Sequence, residues 1–197
     1  GILGESGSGK SMSIKAMLGL LDKNFSVSGH AWFGEKDLLK ESGESLRKIR
    51  GSEIAVVLQN PMTCFDPLYR IGSQIGETFA THTDWSANEI REKSLETLER
   101  MRIRNPEEAL QKYPHQLSGG MRQRIMIGIA MALKPALLIA DEPTTAIDSI
   151  TQYEILNELV RIKKEHDTAM IYITHDLGAI SKVADDLVVM NSGMIAD

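Results

Sequence analysis

The sequence predicts an α/β fold with a mostly parallel β-sheet core and a helical insertion. Short, wholly apolar runs such as Ile54 to Leu58 and Ala136 to Ala140 are typical of strands buried on both faces of a sheet. Segments with helical periodicity alternate with these runs, which indicates right-handed strand-helix-strand crossovers. A glycine-rich stretch near the start joins the end of a strand to the first helix.

That glycine-rich stretch is Gly4-Glu5-Ser6-Gly7-Ser8-Gly9-Lys10-Ser11, which fits the phosphate-binding spacing G-x-x-x-x-G-K-[ST]. Glycines let successive backbone N–H groups converge on an anion. Lys10 supplies a positive charge for the β- and γ-phosphates, and the Ser11 hydroxyl is placed to ligate Mg²⁺. The run Met12 to Leu21 predicts a helix whose positive end faces the same phosphates. The alternative is a glycine-rich surface turn.

The next segment predicts a short strand within Phe25 to Phe33, a turn at Gly34 and a basic helix over Glu44 to Arg50. The strand over Ile54 to Leu58 follows and ends at Gln59.

A segment of helices and loops then interrupts the α/β pattern. We expect residues 62–118 to form a helical subdomain, and residues 1–61 with 119–197 to form the core. Ser86-Ala87-Asn88-Glu89 is a capping box that begins one helix, and Asn105 with Pro106 begins another as N-cap and first residue.

The core pattern resumes after this insertion. It predicts helices over Gly119 to Leu133, Thr151 to His166 and Ala179 to Ala184, and strands over Ala136 to Ala140, Ala169 to Thr174 and Asp186 to Met190.

Polar residues follow several of the predicted strands directly. Ligands of open parallel sheets bind at the carboxyl ends of the strands. Asp141 is expected beside the metal held by Ser11, and Glu142 could polarise a water for attack on the γ-phosphate. His175 is a candidate contact of the γ-phosphate, and Gln59 could ligate Mg²⁺ or hold the water. Capping or structural roles for these four are the alternatives.

A second glycine motif, Leu117-Ser118-Gly119-Gly120-Met121-Arg122-Gln123, begins the following helix. Ser118 is a natural N-cap, and Gly119 and Gly120 expose the first amides of that helix to an anion. One nucleotide already has its phosphates in the first loop, so a second anion site predicts a composite site shared between two chains.

Taken together, these motifs resemble the ATP-binding subunits of ABC transporters. The first loop corresponds to Walker A, Gln59 to the Q-loop, Leu117 to Gln123 to the family signature, Leu137 to Glu142 to Walker B, Ala146-Ile147-Asp148 to the D-loop and His175 to the switch histidine. The resemblance implies a P-loop NTPase (RecA-like) core with the ABC-type helical insertion.

The detailed sequence of the motifs and of the segments beside them is similar to that of the oligopeptide, dipeptide and nickel importer branch. This similarity is found in Gln59-Asn60-Pro61-Met62, Phe65-Asp66-Pro67, Ile71-Gly72 and Asp141 to Asp148. Ile147 stands where leucine is commoner. The chain opens on Gly1-Ile2-Leu3, typical of a strand already under way, so we expect elements to be missing at both ends, including the aromatic residue that stacks on adenine.

The resemblance implies an ATPase that uses ATP and Mg²⁺. Two nucleotides would be held between Walker A of one subunit and Ser118, Gly119, Gly120 and Asp148 of a second identical or paralogous subunit. Glu142 and His175 would carry hydrolysis. The helical insertion would dock on membrane permease subunits at the cytoplasmic face, with a solute-binding protein acting indirectly. The resemblance leaves two classes of transported solute, namely peptides and nickel or other chelated metals.

Composition limits the other functions. A formal net charge of −5 disfavours nucleic-acid partners, which usually require a basic surface, so a soluble ABC-type ATPase on nucleic acid or ribosomes is the weaker alternative. A kinase or GTPase would leave the signature without a role. The single cysteine, Cys64, fits a reducing compartment. Four further histidines lack the spacing of metal ligands: His30, His82, His115 and His166.

Overall fold

The computed structural model describes residues 1–59, 64–145, 147–166 and 168–196. The strands are β1 (Ile2–Gly4), β2 (Trp32–Phe33), β3 (Lys36–Asp37), β4 (Ile54–Val57), β5 (Leu137–Asp141), β6 (Ala169–Thr174), β7 (Val188–Asn191) and β8 (Met194–Ile195). The helices are α1 (Lys10–Met17), α2 (Gly43–Ile49), α3 (Ile71–His82), α4 (Ala87–Arg100), α5 (Pro106–Gln111), α6 (Gly119–Ala132), α7 (Ser149–His166) and α8 (Leu177–Val183), with a 3₁₀ turn over Pro114–Gln116.

Six strands form the main sheet in the order β4-β5-β6-β1-β7-β8. The first five of these pair in parallel, and β8 pairs antiparallel with β7. β1, which leads into the glycine-rich loop, lies between β6 and β7. The carboxyl ends of β1, β4, β5 and β6 therefore meet at one edge, where parallel sheets bind ligands.

Both faces of the sheet are covered at β4, β5 and β6, which explains why these strands are mostly apolar. Ile139 and Ile173 pack with Ile14 of α1 and Leu46 of α2 on one face. Their strand neighbours, such as Ala140, pack on the other face in a cluster to which α6, α7 and α8 contribute. Alternate side chains of each strand thus enter opposite layers.

Helices α3, α4 and α5 follow the sheet strand β4 and precede α6. The apolar stripe of α3, namely Ile71, Ile75 and Phe79, is fully buried. The expected capping box of α4 is present: the Ser86 side chain accepts from Glu89 N, and the Glu89 carboxylate accepts from Ser86 N. The buried residues of these helices join the same apolar cluster as α6, so this segment is packed on the core.

The structure differs from the sequence-based expectations in several places. The strand expected within Phe25 to Phe33 is limited to Trp32–Phe33, which pairs with Lys36–Asp37 as a two-stranded hairpin. Asn105 precedes α5 as expected, but it has φ 51° and its side chain makes no capping hydrogen bond. The antiparallel strand β8 was not predicted from the sequence.

Parts of some expectations lie outside the described residues, namely Asn60-Pro61-Met62 and Ala146. Within the described ranges, no helix combines the length and the apolar character needed to cross a membrane.

Candidate active site

The glycine-rich loop between β1 and α1 is tightly folded. Gly7 and Gly9 have φ values of 81° and 97°, in the left-handed region that favours glycine. A Cβ on Gly4 would lie 2.4 Å from the Met190 carbonyl oxygen of β7. The Gly193 N–H, in the turn between β7 and β8, donates to the Ser8 carbonyl at 3.1 Å. The edge of the sheet therefore fixes the course of the loop.

Lys10 and Ser8 give this loop the character of an anion site. The Lys10 ammonium is almost completely buried and donates to the Gly4 and Glu5 carbonyls at 2.8 Å each. The Ser8 hydroxyl is buried without a hydrogen-bond partner among the described residues. Helix α1 begins at this point without a side-chain cap. An unused donor, a cation and an uncapped helix N-terminus fit a phosphate group.

Ser11 lies beside Asp141 at the end of β5. The Ser11 hydroxyl donates to Asp141 Oδ1 at 2.9 Å, and Asp141 is only 5% exposed. Burial raises the pKa of the Asp141 carboxyl above its ordinary value, and the Ser11 hydrogen bond opposes that shift. A hydroxyl and a carboxylate this close form the kind of oxygen pair that binds Mg²⁺ beside phosphates.

Glu142 joins the ends of three strands. Its Oε2 accepts from Gln59 Nε2 at 2.9 Å and from the Thr145 hydroxyl at 2.9 Å. Its Oε1 lies 3.2 Å from His175 Nδ1. The Glu142 backbone has φ 46°, an uncommon conformation for a residue with a side chain. The carboxylate is therefore held from several sides.

Two roles were considered for Gln59, as a ligand of Mg²⁺ or as the residue that holds the attacking water. Its amide contacts Glu142, and in the described part of the chain no hydrogen bond joins Gln59 to Ser11 or Asp141. The imidazole of His175, with 57% of its side chain exposed, remains open to solvent beside Glu142.

The second glycine motif begins α6. The Ser118 hydroxyl oxygen accepts from Met121 N at 3.2 Å, so Ser118 is the N-cap. A Cβ on Gly120 would lie 2.5 Å from Thr151 Cγ2, so this helix end packs against the start of α7. Asp148 Oδ1 accepts from Thr151 N at 2.9 Å, and this bond lowers the pKa of Asp148.

The two glycine motifs have different neighbours within the chain. The first loop is held by β5, β7 and the turn after β7, and the start of α6 is held by the start of α7. Across the described residues no hydrogen bond joins the loop of residues 4–11 to Ser118, Gly119 or Gly120.

Among the described residues, the other histidines do not belong to a cluster that could hold a metal ion. The described residues contain no cluster of three or more His, Cys, Asp or Glu side chains suited to a metal ion. His30 Nδ1 instead lies 2.7 Å from Asp37 Oδ2. The side chain of His166 lies outside the described residues.

Comparison with known proteins decides the family. The ABC transporter family profile matches residues 1–145. The chain belongs to the ABC transporter family. The resemblance inferred from the motifs is confirmed, and so is the P-loop fold class with its mostly parallel sheet. Like other members of this family, the chain is an ATP-binding cassette with ATPase activity.

Curated ABC relatives match over the whole chain. The chain is 46% identical to the metal-staphylopine import system ATP-binding protein CntD of Staphylococcus aureus and covers 73% of that protein. It is 43% identical to the oligopeptide transport ATP-binding protein OppD of Lactococcus lactis subsp. cremoris and covers 58% of it. The chain thus spans between about half and three quarters of the lengths of these two relatives.

Solved ABC cassettes share the fold. A dimeric ATP-binding cassette in a post-hydrolysis state with ADP and Pi superposes with a TM-score of 0.87 at 27% identity, covering 100% of this chain and 82% of that one. The cassette cbiO1 of Clostridium perfringens gives a TM-score of 0.82 at 28% identity and is covered to 74%.

Two contributors to the site were not predicted from the sequence. Thr145 is a hydrogen-bond donor to Glu142. The available signal in the sequence was a hydroxyl side chain three residues after that glutamate. Gly193 donates its N–H to the glycine-rich loop. Asn191-Ser192-Gly193 contains turn-forming residues, but only the fold shows that this turn lies beside residues 8 and 9.

Proposed function

We propose that this chain hydrolyses ATP as the nucleotide-binding subunit of an import system, and that it couples hydrolysis to uptake of peptides or chelated metals through a membrane permease. The observation that carries the proposal is the Glu142 carboxylate, held by Gln59, Thr145 and His175 one residue from the Ser11–Asp141 pair. Phosphoryl transfer to water needs this combination of a base, a cation site and a phosphate cradle.

The triphosphate binds along residues 4–11. The loop amides and the N-terminus of α1 hold the phosphate oxygens. The Lys10 ammonium exchanges its bonds to the Gly4 and Glu5 carbonyls for the β- and γ-phosphates. The Ser8 hydroxyl, which lacks a partner among the described residues, becomes a further donor.

Ser11, Asp141 and Gln59 would hold the Mg²⁺ ion. Ser11 and Asp141 already lie within hydrogen-bonding distance of each other, and Gln59 would become a ligand if its side chain left Glu142. When bound there, Mg²⁺ supplies charge neutralisation for the β- and γ-phosphates. Asp141 is buried, and burial raises its pKa, so a cation beside it would favour the ionised carboxylate.

Glu142 acts as the general base for the attacking water, and His175 contacts the γ-phosphate. The 3.2 Å separation of His175 Nδ1 from Glu142 Oε1 supports a shared task. If Nδ1 donates to the carboxylate, the other ring nitrogen is left as an acceptor, whereas a protonated ring donates from both nitrogens.

The second half of each nucleotide site comes from a partner subunit. Ser118, Gly119, Gly120 and Asp148 would face the γ-phosphate held by the other chain. Two features support this arrangement: the start of α6 is not bonded to the glycine-rich loop of its own chain, and the similar cassette with ADP and Pi is dimeric. The partner is a second copy or a paralogue.

A groove beside the helical segment is the proposed contact with the permease. It has a volume of about 600 Å³, and its lining includes Leu58, Phe65, Tyr69 and Met126. Leu68, which precedes Tyr69 in the sequence, is 79% exposed. A groove that combines apolar side chains with polar ones such as Gln74 and Glu77 suits an amphipathic helix from a partner. We also propose that residues 62–118 form a subdomain that carries this face, next to a core of residues 1–61 and 119–197.

This contact would hold the subunit at the cytoplasmic face of the membrane. The names of the relatives include both metal-staphylopine and oligopeptide transport. The proposal therefore includes both peptides and chelated metals as transported solutes. Because these relatives are transport components, they favour a transport ATPase over a soluble ATPase that is not coupled to transport.

The variant Glu142→Gln tests this function. The amide keeps the size of the side chain but cannot take a proton from water, so we expect ATP binding to be retained and turnover to fall by about a thousandfold or more. Binding of a fluorescent ATP analogue and release of phosphate measure the two steps in the complete protein. Lys10→Ala is the contrasting variant and should lose binding as well. Wild-type hydrolysis by Glu142→Gln would contradict the proposal.

A further inference from the structure

We propose that Thr145 is a positioning residue that fixes which oxygen of the Glu142 carboxylate faces the attacking water. The inference rests on the proposed function, in which Glu142 is the base. Thr145 was not among the site residues expected from the sequence, and among the described residues its hydrogen bonds go to Glu142.

The geometry places Thr145 on the same local turn as Glu142. The Thr145 N–H donates to the Glu142 carbonyl at 3.2 Å, and the Thr145 hydroxyl donates to Glu142 Oε2 at 2.9 Å. Glu142 itself has φ 46°, a conformation that persists only where the surroundings hold it. The turn of residues 142–145 therefore ties both the backbone and the side chain of the glutamate.

The two oxygens of Glu142 have different surroundings. Oε2 accepts from both Gln59 and Thr145, which uses the two lone pairs of that oxygen. Oε1 faces only His175 among the described residues and retains a lone pair. A water can therefore lose its proton to Oε1, provided that Oε2 stays on the Thr145 side.

Thr145 and Gln59 differ in how long they can hold the carboxylate. Gln59 follows β4, 83 residues away in sequence, and the proposed function moves its side chain to Mg²⁺. Thr145 lies three residues from Glu142 and moves with it. If Gln59 turned to Mg²⁺, Thr145 would be the donor that keeps Oε2 in place, and its hydrogen bond would matter most when the water attacks.

The adjacent threonine provides a matched control. Thr144 is buried, and its hydroxyl lies 3.4 Å from the Tyr172 hydroxyl, whereas the Thr145 hydroxyl donates to Glu142. Thr144→Val and Thr145→Val remove the same group at neighbouring positions. A purely structural role of a hydroxyl in this turn would affect both variants alike.

The test compares Thr145→Val, Thr145→Ser and Thr144→Val in the complete protein with its native partners. For Thr145→Val we expect kcat for ATP hydrolysis to fall about tenfold, because one hydrogen bond to a charged group is lost, while KM for ATP stays within about twofold. Thr145→Ser should restore kcat to within about twofold of the wild type. Thr144→Val should lower the thermal unfolding midpoint at least as much as Thr145→Val does, but its kcat should stay within about twofold of the wild type. Thr145→Ala replaces the valine variant if that protein does not fold.

The outcomes separate this inference from the proposed function. If Glu142→Gln is inactive and Thr145→Val has wild-type kcat, the positioning role is wrong and the function stands. If Thr145→Val and Thr144→Val lose kcat and thermal stability equally, or if serine fails to restore kcat, the role of Thr145 is structural and the inference is overturned. If Glu142→Gln hydrolyses ATP normally, the proposed function itself fails.

Discussion

Single residues set the shape of the phosphate loop, and Gly4 shows this most directly. Its Cβ position lies 2.4 Å from the Met190 carbonyl oxygen and 2.6 Å from Ser8 Oγ. Backbone atoms of a paired strand cannot move aside without disturbing the sheet. The glycine is therefore required by close packing, independently of any nucleotide.

We predict that Gly4→Ala destabilises the protein by about 1–3 kcal/mol, because the added methyl overpacks this contact. Urea unfolding of the protein without nucleotide measures the effect. Gly43→Ala is the control: its Cβ would meet no atom within 4 Å, and it lies in the first turn of α2. That change should leave stability unchanged or raise it by about 0.4–1 kcal/mol. Equal stability of Gly4→Ala and the wild type would show that the loop has room at this position.

At the same scale, the sequence predicts residue types better than it predicts partners. Asp141, Glu142 and His175 could be expected at one sheet edge because each follows an apolar run, and parallel strands end together. The hydrogen bond from Thr145 depends on the left-handed backbone of Glu142. Glutamate has no preference for this conformation, so the sequence does not predict it. The role of a side chain that depends on an unusual φ can be seen only in the fold.

At the scale of elements, the β2–β3 hairpin depends on one carboxylate. Asp37 accepts from Ala31 N at 3.0 Å and lies 2.7 Å from His30 Nδ1. The His30 hydrogen bond, followed by the Ala31 backbone bond, lowers the pKa of Asp37 from 3.8 to about 2. Because the pKa is depressed in the folded state, this stabilisation is present above pH 3.8 and is lost as the pH falls through about 2.

We predict that Asp37→Asn is less stable than the wild type near neutral pH, and that the difference narrows as the pH falls below 3.8 towards 2. Chemical unfolding of the two proteins at several pH values measures this difference, and the comparison cancels the titration of other groups. Asp22→Asn provides a surface control. A difference that stays constant over this pH range would show that the charge of Asp37 does not hold the hairpin.

The elements themselves were predicted unevenly. The strand over Ala169–Thr174 was predicted with its observed bounds, because β-branched and aromatic residues fill it between clear breaks. Helix α1 ends at Met17, before the expected Leu21, since apolar residues continue beyond its last turn. The segment from Phe25 to Ala31 has an apolar pattern but no strand partner in the described structure, so local pattern alone overestimated its regular structure.

At the scale of the whole molecule, the sheet brings residues far apart in sequence to one catalytic edge, whereas the two glycine motifs stay apart. The glycine-rich loop is held by β5 and β7, and the start of α6 packs against α7. A single chain thus presents a phosphate cradle and a second anion-type helix end in separate places. In the proposed dimer, the phosphate cradle of one subunit and the α6 end of the other bind the same nucleotide. Closing of the dimer then requires that ATP bind the closed state more tightly than the open one.

The most direct test of this account is the structure of the complete Glu142→Gln protein with its partner subunit, ATP and Mg²⁺. The account predicts that Ser118 of one subunit lies about 3 Å from a γ-phosphate oxygen of the nucleotide bound at Lys10 of the other. A nucleotide-loaded assembly in which Ser118 and Gly119 face solvent, far from any γ-phosphate, would contradict it.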